Sequence, residues 1–436
     1  MRKALSILMI LLASGLYAAS IAGGVPGIRD DLFESEEELG AFHYDGSLTE
    51  REKEFYSAVT VSLITADPGD PVYIYFGHSA LLIELPDSGS RMFDYGVFQF
   101  NDGFYMNFAL GRLYYMVIQS YAEPRMEEFI EEDRGITKTV LPLTDSQKKG
   151  VIEFLSYNTR RENSEYLYHY YNDNCATRLR DIYNWCTDDG FRVWAEAIDT
   201  GRTLRSYSTA YMHKSFPVAY ALNYLQGPGI DRKISLYQAC FLPDVLQRAI
   251  EEYAGIESED IYTSRTREET PDSYSLIPGT LILSALLAAL IALSASSRMG
   301  IRAVSGIALS LTYLLFAAAS IVLIFMMLFT NHDVTYMNAN AILLSPVLAA
   351  MAVMHILAIR NTERGKGIYT ISRIMLAVTI LMLIMKSLAR NVFIQGNYPY
   401  YITALSIYAA ELAAWGFRLS RSPDRRSERH RDAQGL

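Results

Sequence analysis

The sequence predicts an α+β domain built on an antiparallel sheet, followed by an all-α membrane domain of five transmembrane helices. In the first half, short alternating segments rich in β-branched residues are separated by turns of Gly, Pro and Asp, as is typical of antiparallel strands. From about residue 276 onward, five apolar segments are each long enough to cross the roughly 30 Å hydrocarbon layer. The two patterns predict two structural classes within one chain.

The chain begins with the pattern of a secretory signal. Arg2 and Lys3 precede an apolar run, and the small residues Ala18 and Ala19 suit a signal peptidase. We expect residues 1–19 to be this signal, with an uncleaved anchor as the alternative, and residues 20–54 to form a polar N-terminal arm. Either form of the signal places the following domain outside the cytoplasm.

We expect the exported domain to span residues 55–255, and three alternating segments predict its first strands. These segments are Ser57–Thr65, Ala80–Leu85 and Met92–Phe98. Turn sequences at Asp67–Asp70 and Pro86–Gly89 lie between them, so the strands are expected to be antiparallel neighbours.

Cys175 is predicted to open an amphipathic helix. The apolar residues after it recur at helical spacing, at Ala176, Leu179, Ile182 and Tyr183. Asn172, Asp173 and Asn174 are residue types that cap helices, and a helix N-terminus favours thiolate over thiol. We therefore expect Cys175 to be a nucleophile, with its backbone N–H and Asn172 or Asn174 as donors to an oxyanion.

His78 stands before an apolar predicted strand, and we expect it to be the base for Cys175. Asp94 lies on the next predicted strand, where its carboxylate can orient the imidazole as the third member of a Cys–His–acid arrangement. The alternative for Asp94 is a solvated strand residue. A lone cysteine or histidine is also more often structural than catalytic.

The cysteines argue against a disulfide framework and against a metal site. The chain has only Cys175, Cys186 and Cys240, and this odd number leaves at least one thiol free in an exported protein. Catalysis is one reason to keep a free thiol, and burial is the other. The sequence has neither a CxxC nor an HxxxH pattern, so we expect no metal and no other cofactor.

Residues 256–275 are charged and include a proline, so we expect a tether there, followed by the membrane domain at 276–419 and a basic tail at 420–436. The predicted spans are Leu276–Ser296, Val304–Phe329, Ala341–Ile359, Tyr369–Leu388 and Tyr400–Leu419. The loop at 330–340 has no Lys or Arg, whereas the tail is rich in Arg. The positive-inside rule therefore places the tail in the cytoplasm and the Cys/His domain outside it.

Three ionisable residues lie in the predicted spans or at their ends, where charged side chains need a structural or functional explanation. Lys386 and Arg390 lie at the outer end of the fourth span, where they can snorkel and where phospholipid headgroups could bind. Glu411 is a carboxylate near the middle of the fifth span, which makes it either a functional residue or an interhelical hydrogen-bonding group. The net charge of −9 combines an acidic exported half with a basic tail and gives no indication of nucleic-acid binding.

Five motifs resemble, in order and spacing, the Lnb-type periplasmic domain of Bacteroides-like lipoprotein N-acyltransferases. They lie within roughly residues 55–250, at Val61–Asp70, Phe76–Ala80, Phe93–Phe98, Gly111–Tyr115 and Asp173–Arg178. More weakly, His332 and the segment 338–340 resemble the membrane part of that family.

The resemblance implies a circularly permuted papain-like fold, shared with lecithin:retinol acyltransferase relatives, in which the histidine strand precedes the cysteine helix. It implies a membrane-bound enzyme that takes an acyl chain from phospholipid, carries it as a thioester on Cys175 and transfers it to the N-terminal amine of a lipoprotein. Within the matching motifs, Arg178 would support the site and Arg112 would bind substrate. Tyr75, just before the second motif, is another candidate for substrate binding. Glu411 is a further candidate for substrate binding. Asp94 is a departure, because the family is expected to carry Asn there.

Two other functions remain open at this point. One is a papain-like cysteine hydrolase, a peptidase or amidase of cell-envelope substrates, which would use the same dyad with water. The other is a membrane scaffold without catalysis. The five predicted spans favour an enzyme of the bacterial inner membrane that faces the periplasm and draws both substrates from the bilayer, because a wall hydrolase does not need them.

Overall fold

The computed structural model describes residues 34–86, 88–100 and 103–421. The predicted signal, the first part of the arm, position 87 of one predicted turn and the tail after residue 421 lie outside the described residues. The chain divides into two compact units. Of the described residues, the sheet unit contains those up to Lys214 together with Arg232–Tyr274, and the helical unit contains Ser215–Asp231 together with those from Ser275 onward.

A seven-stranded antiparallel sheet forms the centre of the sheet unit, in the order β6-β4-β3-β2-β1-β5-β9. Its strands are β1 (Thr60–Ala66), β2 (His78–Leu85), β3 (Gly89–Val97), β4 (Tyr114–Tyr121), β5 (Ile136–Val140), β6 (Glu165–Leu167) and β9 (Glu259–Tyr262). A separate pair consists of β7 (Asp199–Thr203) and β8 (Lys233–Ser235). The antiparallel sheet predicted from the alternating segments is thus confirmed.

The sheet unit also contains helices. They are Glu34–Ala41, Glu50–Ala58, Phe104–Ala109, Ala122–Glu131, Asp145–Asn158, Cys175–Cys186, Gly190–Glu196, Leu204–Tyr211, Leu236–Ala239 and Pro243–Ala254. One face of the sheet packs Ile64, Leu82 and Met92 against Phe129 of the helix Ala122–Glu131. The cysteine helix, Cys175–Cys186, packs against β2 and β3.

Two predicted boundaries in this unit were wrong. The first strand begins at Thr60 rather than at Ser57, because a capping box between Thr49 and Glu52 starts a helix that continues to Ala58. The predicted tether contains β9, which pairs with β5 at the edge of the sheet. The loop after β9 is held by Asp133, whose carboxylate accepts hydrogen bonds from the backbone N–H groups of the two residues at 265–266.

The helical unit consists of long apolar helices. They are Ile277–Ser294, Met299–Phe329, Val347–Arg360, Gly365–Leu388 and Tyr398–Ser420, with short helices at Phe216–Leu225 and Asn340–Leu343. Within the described part of the chain, four helical segments are long and apolar enough to cross a membrane. The helix Tyr398–Ser420 is long enough, at 23 residues, but its tyrosines and Glu411 make it less apolar. Four of the five predicted spans are therefore supported by length and composition.

Glu411 lies fully buried inside the helical unit. Its Oε1 accepts hydrogen bonds from the Tyr313 hydroxyl at 2.6 Å and from His355 Nε2 at 2.7 Å. These partners come from two other helices. Glu411 therefore makes interhelical hydrogen bonds, which is one of the two roles that the sequence allowed for it.

Candidate functional site

Cys175 is the first residue of the helix Cys175–Cys186, and the cap before it is built by Asn174. Asn174 Oδ1 accepts hydrogen bonds from the backbone N–H groups of Ala176 and Thr177, both at 2.9 Å. Its Nδ2 donates to the carbonyl oxygens of Tyr170 and Phe241. Because both ends of the amide are used, Asn174 supports the helix start, and its Nδ2 is not left to bind an oxyanion.

His78 is the first residue of β2 and follows a glycine in the left-handed region, Gly77, with φ +78°. A Cβ at Gly77 would lie 2.9 Å from the carbonyl oxygen of Ala66, so both the conformation and the space require glycine. This turn delivers His78 to the sheet beside the thiol. The side chains of His78 and Cys175 form a hydrogen bond.

Asp94 lies on β3 directly opposite Ala80 of β2, and its carboxylate is fully buried. His78 Nε2 donates to Asp94 Oδ1 at 2.8 Å. Since one ring nitrogen faces the carboxylate, the other, Nδ1, is the atom that faces the Cys175 thiol. The structure therefore brings the three predicted catalytic residues together in the order acid, imidazole, thiol.

The electrostatics of this trio favour a thiolate beside an imidazolium. Burial disfavours the protonated imidazole, but the Cys175 charge and the Asp94 carboxylate outweigh it and raise the pKa of His78 to about 9. Burial also disfavours the thiolate, but the His78 charge and its hydrogen bond lower the pKa of Cys175 below its usual value. Backbone N–H groups of Ser79 and Ala176 donate to the same sulfur and act in the same direction.

Arg125 is a residue of the site that the sequence analysis missed. Its Nε donates to Asp94 Oδ1 at 3.2 Å, and its guanidinium lies over the Phe129 ring. Burial would raise the pKa of Asp94, but hydrogen bonds and charges from His78 and Arg125 outweigh it and hold the pKa below the usual value. The pairing of β3 with β4 brings the helix that carries Arg125 to this carboxylate.

Arg178 lies one turn into the cysteine helix and is nearly inaccessible to solvent, with 2 % of its surface exposed. It makes a two-point ion pair with Asp173 and donates from Nη1 to Glu38 at 2.8 Å. The backbone N–H of Asn172 donates to His169 Nδ1 in the turn that precedes the helix. These contacts stabilise the segment that presents Cys175.

Gly96 forms a β-bulge in β3 beside the thiol. Its φ is +81°, and a Cβ there would lie 3.7 Å from the Cβ of Cys175 and 3.6 Å from Tyr168. The bulge thus keeps the backbone close to Cys175, while Tyr168 occupies the neighbouring space.

A stack of aromatic rings leads from Tyr168 to the surface. Tyr168 stacks on Tyr115 with ring centroids 4.4 Å apart, and Tyr115 contacts Phe98 at 5.1 Å. Phe98 stacks on Phe104 at 5.4 Å, next to Phe100, which is 71 % exposed. Other exposed apolar residues of this region are Tyr105, Met106, Phe108 and Tyr114. An aromatic surface therefore continues from the thiol to an exposed apolar patch.

The two candidate substrate-binding residues lie in different surroundings. Tyr75 is buried, with 8 % of its surface exposed, whereas Arg112 is exposed. Arg112 lines a cavity of about 280 Å³ together with Phe104, Phe108 and Tyr115 of the aromatic region. Arg112 is therefore better placed than Tyr75 to contact a substrate.

The two remaining cysteines differ from Cys175. All three are free thiols, but Cys186 and Cys240 are buried, and burial raises the pKa of each to about 12. In the part of the chain that the structure describes, no three His, Cys, Asp or Glu side chains are grouped as metal ligands.

A comparison with known protein families finds a match over the residues that form this site. Residues 50–207 match the family model described as the Lnb N-terminal periplasmic domain, which covers about a third of the chain. No curated protein and no solved structure matches the chain. With the four apolar helices, the match indicates a membrane protein with a periplasmic domain. The segment that contains His78, Asp94 and Cys175 therefore belongs to the Lnb N-terminal periplasmic domain family.

Proposed function

We propose that this protein is a membrane-bound cysteine acyltransferase, which moves an acyl chain from a phospholipid to the N-terminal amine of a lipoprotein. The observation that carries the proposal is the hydrogen-bonded pair of Cys175 and His78, oriented by the buried Asp94. A thiolate prepared at neutral pH is a strong nucleophile, and its thioester reacts readily with amines.

In the first half of the proposed reaction, the Cys175 thiolate attacks the ester carbonyl carbon of the phospholipid. A carbon–sulfur bond forms, and the negative charge moves to the carbonyl oxygen, where the Cys175 backbone N–H at the helix start can stabilise it. The carbonyl then re-forms and the ester carbon–oxygen bond breaks, while the imidazolium of His78 gives its proton to the departing alcohol oxygen. The products of this half are a lysophospholipid and an acyl-thioester.

In the second half, the neutral amine of the lipoprotein attacks the thioester carbonyl. His78 now accepts a proton from the attacking nitrogen, and the carbon–sulfur bond breaks to give the amide and the Cys175 thiolate. Asp94 keeps the imidazole in one orientation through both halves and stabilises its charged form. The enzyme returns to the starting ion pair without a cofactor.

The aromatic region supports a lipid substrate. The ring stack from Tyr168 to Phe104 offers apolar contacts along a path from the thiol, and exposed apolar patches of this kind mark binding surfaces for proteins or lipids. The apolar helices support a membrane location, which we propose to be the bacterial inner membrane with the sheet unit facing the periplasm.

A circularly permuted papain-like fold forms part of the same proposal. The histidine strand precedes the cysteine helix in the chain, and that helix packs on the antiparallel sheet. In such a fold the nucleophile at a helix start and the base on a strand meet at one edge of the sheet.

The test uses purified full-length protein with a labelled phospholipid and a diacylated lipopeptide. We expect lysophospholipid and N-acylated peptide to appear in equal amounts, and we expect Cys175→Ser to abolish both while the protein stays folded. Cys186→Ser is the matched control, because this thiol is buried away from the site. Release of free fatty acid without acylated peptide, or cleavage of peptidoglycan fragments, would instead identify a hydrolase.

A further inference from the structure

The helical unit contains a pocket with both polar and apolar walls, whose empty space of about 490 Å³ is partly open to solvent. It lies between the C-terminal end of the helix Gly365–Leu388, the loop that follows and the segment 337–342. The lining includes Lys386, Gln395 and Asn397 as polar groups and Ile342, Val392 and Phe393 as apolar ones.

Hydrogen bonds fix the polar wall of this cavity. Gln395 Nε2 donates to Asn338 Oδ1 at 2.7 Å and to the carbonyl oxygen of Gln226 at 3.0 Å. Gln395 Oε1 accepts from the backbone N–H of Ala339 at 3.0 Å. The wall is therefore built by side chains held in one orientation, as expected of a preorganised site.

Lys386 brings a positive charge to the cavity. It lies in the last turn of its helix and is 5 % exposed, and its ammonium group donates to the carbonyl oxygens of Phe393 and Gln395. It also lies over the Tyr398 ring, 5.0 Å from the centroid. These contacts hold the ammonium group at the end of an apolar helix, in the wall of the cavity.

Asn397 presents a hydrogen-bond acceptor. The orientation of its amide follows from its neighbour Asn340, whose Nδ2 donates to the Tyr224 carbonyl and whose Oδ1 must therefore accept. Asn397 Nδ2 donates to that Oδ1 at 3.0 Å. Asn397 is 1 % exposed, and among the described residues its Oδ1 has no hydrogen-bond donor. A buried acceptor without a donor is unfavourable, so a ligand that supplies the donor is stabilised there.

We propose that this cavity binds the headgroup of a phospholipid that carries both a phosphate and a hydrogen-bond donor. Lys386 meets the phosphate, and Asn397 Oδ1 accepts from the amine of an ethanolamine headgroup or a hydroxyl of a glycerol headgroup. A choline headgroup has no such donor and is disfavoured. The apolar wall and the helix ends suit the acyl-proximal part of a lipid better than a free soluble anion.

The role of the cavity as a site for the donor lipid or its lysophospholipid product rests on the proposed function, but headgroup binding itself does not. The experiment therefore measures binding and not turnover. Full-length Cys175→Ala protein is titrated by native mass spectrometry with phosphatidylethanolamine, phosphatidylglycerol and phosphatidylcholine of identical acyl chains. This result stands whether or not the protein transfers acyl groups.

We expect one molecule of either donor-bearing lipid to bind about fivefold or more tightly than phosphatidylcholine. Lys386→Met should weaken phosphatidylethanolamine binding about tenfold, whereas Lys386→Arg should retain most of it. Lys366→Met is the matched control, because Lys366 is an exposed lysine at the other end of the same helix. Asn397→Leu should remove the preference for phosphatidylethanolamine over phosphatidylcholine.

Equal binding of the three lipids would overturn the proposal, as would binding that neither the Lys386 nor the Asn397 variants change. Two soluble competitors distinguish recognition of a lipid headgroup from binding of free phosphate. Glycerophosphoethanolamine should displace the lipid, and inorganic phosphate at the same concentration should not. Equal displacement by both would show a plain phosphate site and refute headgroup recognition. Thermal unfolding of each variant identifies any that fail to fold. If Lys386→Met fails to fold, Lys386→Arg still tests whether a positive charge at this position retains lipid binding.

Discussion

Replacing Asp94 with Asn tests whether the buried carboxylate sets the charge state of the dyad. The substitution keeps the shape of the side chain but removes the charge that His78 Nε2 faces at 2.8 Å. The pKa of His78, about 9 in the native protein, should then fall toward its ordinary value. A less basic imidazole stabilises the thiolate less, so the pKa of Cys175 should rise.

The size of the shift follows from the hydrogen bond between His78 and Asp94. Both side chains are largely buried, with 16 % and 0 % of the surface exposed, so solvent screening is small. A hydrogen bond to a charged group contributes roughly 1.5–3 kcal/mol, and about 1.4 kcal/mol corresponds to one pKa unit. We therefore expect the pKa of His78 to fall by about 1 to 2 units, to about 7 or 8. Thiol alkylation below the shifted Cys175 pKa should slow by about tenfold or more.

The assay measures the rate of iodoacetamide labelling at each cysteine by peptide mass spectrometry, from about pH 5 to about pH 10. Cys186 and Cys240 are internal references, since the pKa of each is raised to about 12. Asp70→Asn is the matched control, because Asp70 is an exposed carboxylate that pairs with Arg267. If a folded Asp94→Asn protein gave the same pH profile at Cys175 as the native protein, Asp94 would not set the charge of the dyad.

Three further predictions concern other parts of the molecule. Gly96→Ala and Gly89→Ala should each destabilise the fold by about 1–2 kcal/mol, since both glycines have positive φ in β3, but only Gly96→Ala should slow labelling of the thiol. Arg125→Met should raise the pKa of Asp94. The ionised Asp94 stabilises the fold fully above its unfolded pKa, and this stability is lost as the pH falls through its folded pKa. A higher folded pKa in the variant means that the loss begins at a higher pH. Acid unfolding followed by circular dichroism measures this shift. Glu411→Gln should lower the stability of the full-length protein in detergent by about 1–3 kcal/mol in thermal unfolding, because an amide replaces the carboxyl group that accepts two buried hydrogen bonds.

Two control variants accompany the last two predictions. Arg91→Met removes an arginine that lies over the exposed ring of Tyr121 and should leave acid unfolding unchanged. Glu363→Gln removes a carboxylate that pairs with exposed Lys366 and should cost little. If Arg91→Met moved the acid transition as far as Arg125→Met, or if Glu363→Gln cost as much as Glu411→Gln, the roles argued for Arg125 and Glu411 would be wrong.

The parts of the site that could be predicted from the sequence are those with local signals. The amphipathic pattern after Cys175 and the capping residues before it indicate a helix start, and the alternating segment after His78 indicates a strand start. Pairing of two consecutive strands then brings Asp94 to His78. Each inference needs only neighbouring positions or adjacent strands.

Arg125 and β9 could not be predicted in this way, because their positions depend on distant parts of the chain. The register between β3 and β4 brings Arg125 to a carboxylate 31 positions earlier, and nothing in the helix sequence Ala122–Glu131 indicates that partner. The edge strand β9 is short and charged, and it is recognisable only from β5, more than a hundred positions before it. The helix Phe216–Leu225 is too short, at 10 residues, for its apolar composition to reveal that it belongs with the long helices.

The assignment of Ser215–Asp231 to the helical unit has a consequence for attempts to separate the two units by protease. The chain passes between the units at Lys214–Ser215, at Asp231–Arg232 and at Tyr274–Ser275. A single cut at the last junction leaves the sheet unit covalently joined to a helix that remains packed in the other unit, through contacts such as Tyr220 with Tyr400. Nicked protein should therefore migrate as one species on native gels and fall apart only in denaturant, because within the described residues the chain joins the two units at three junctions and one cut leaves two of them intact.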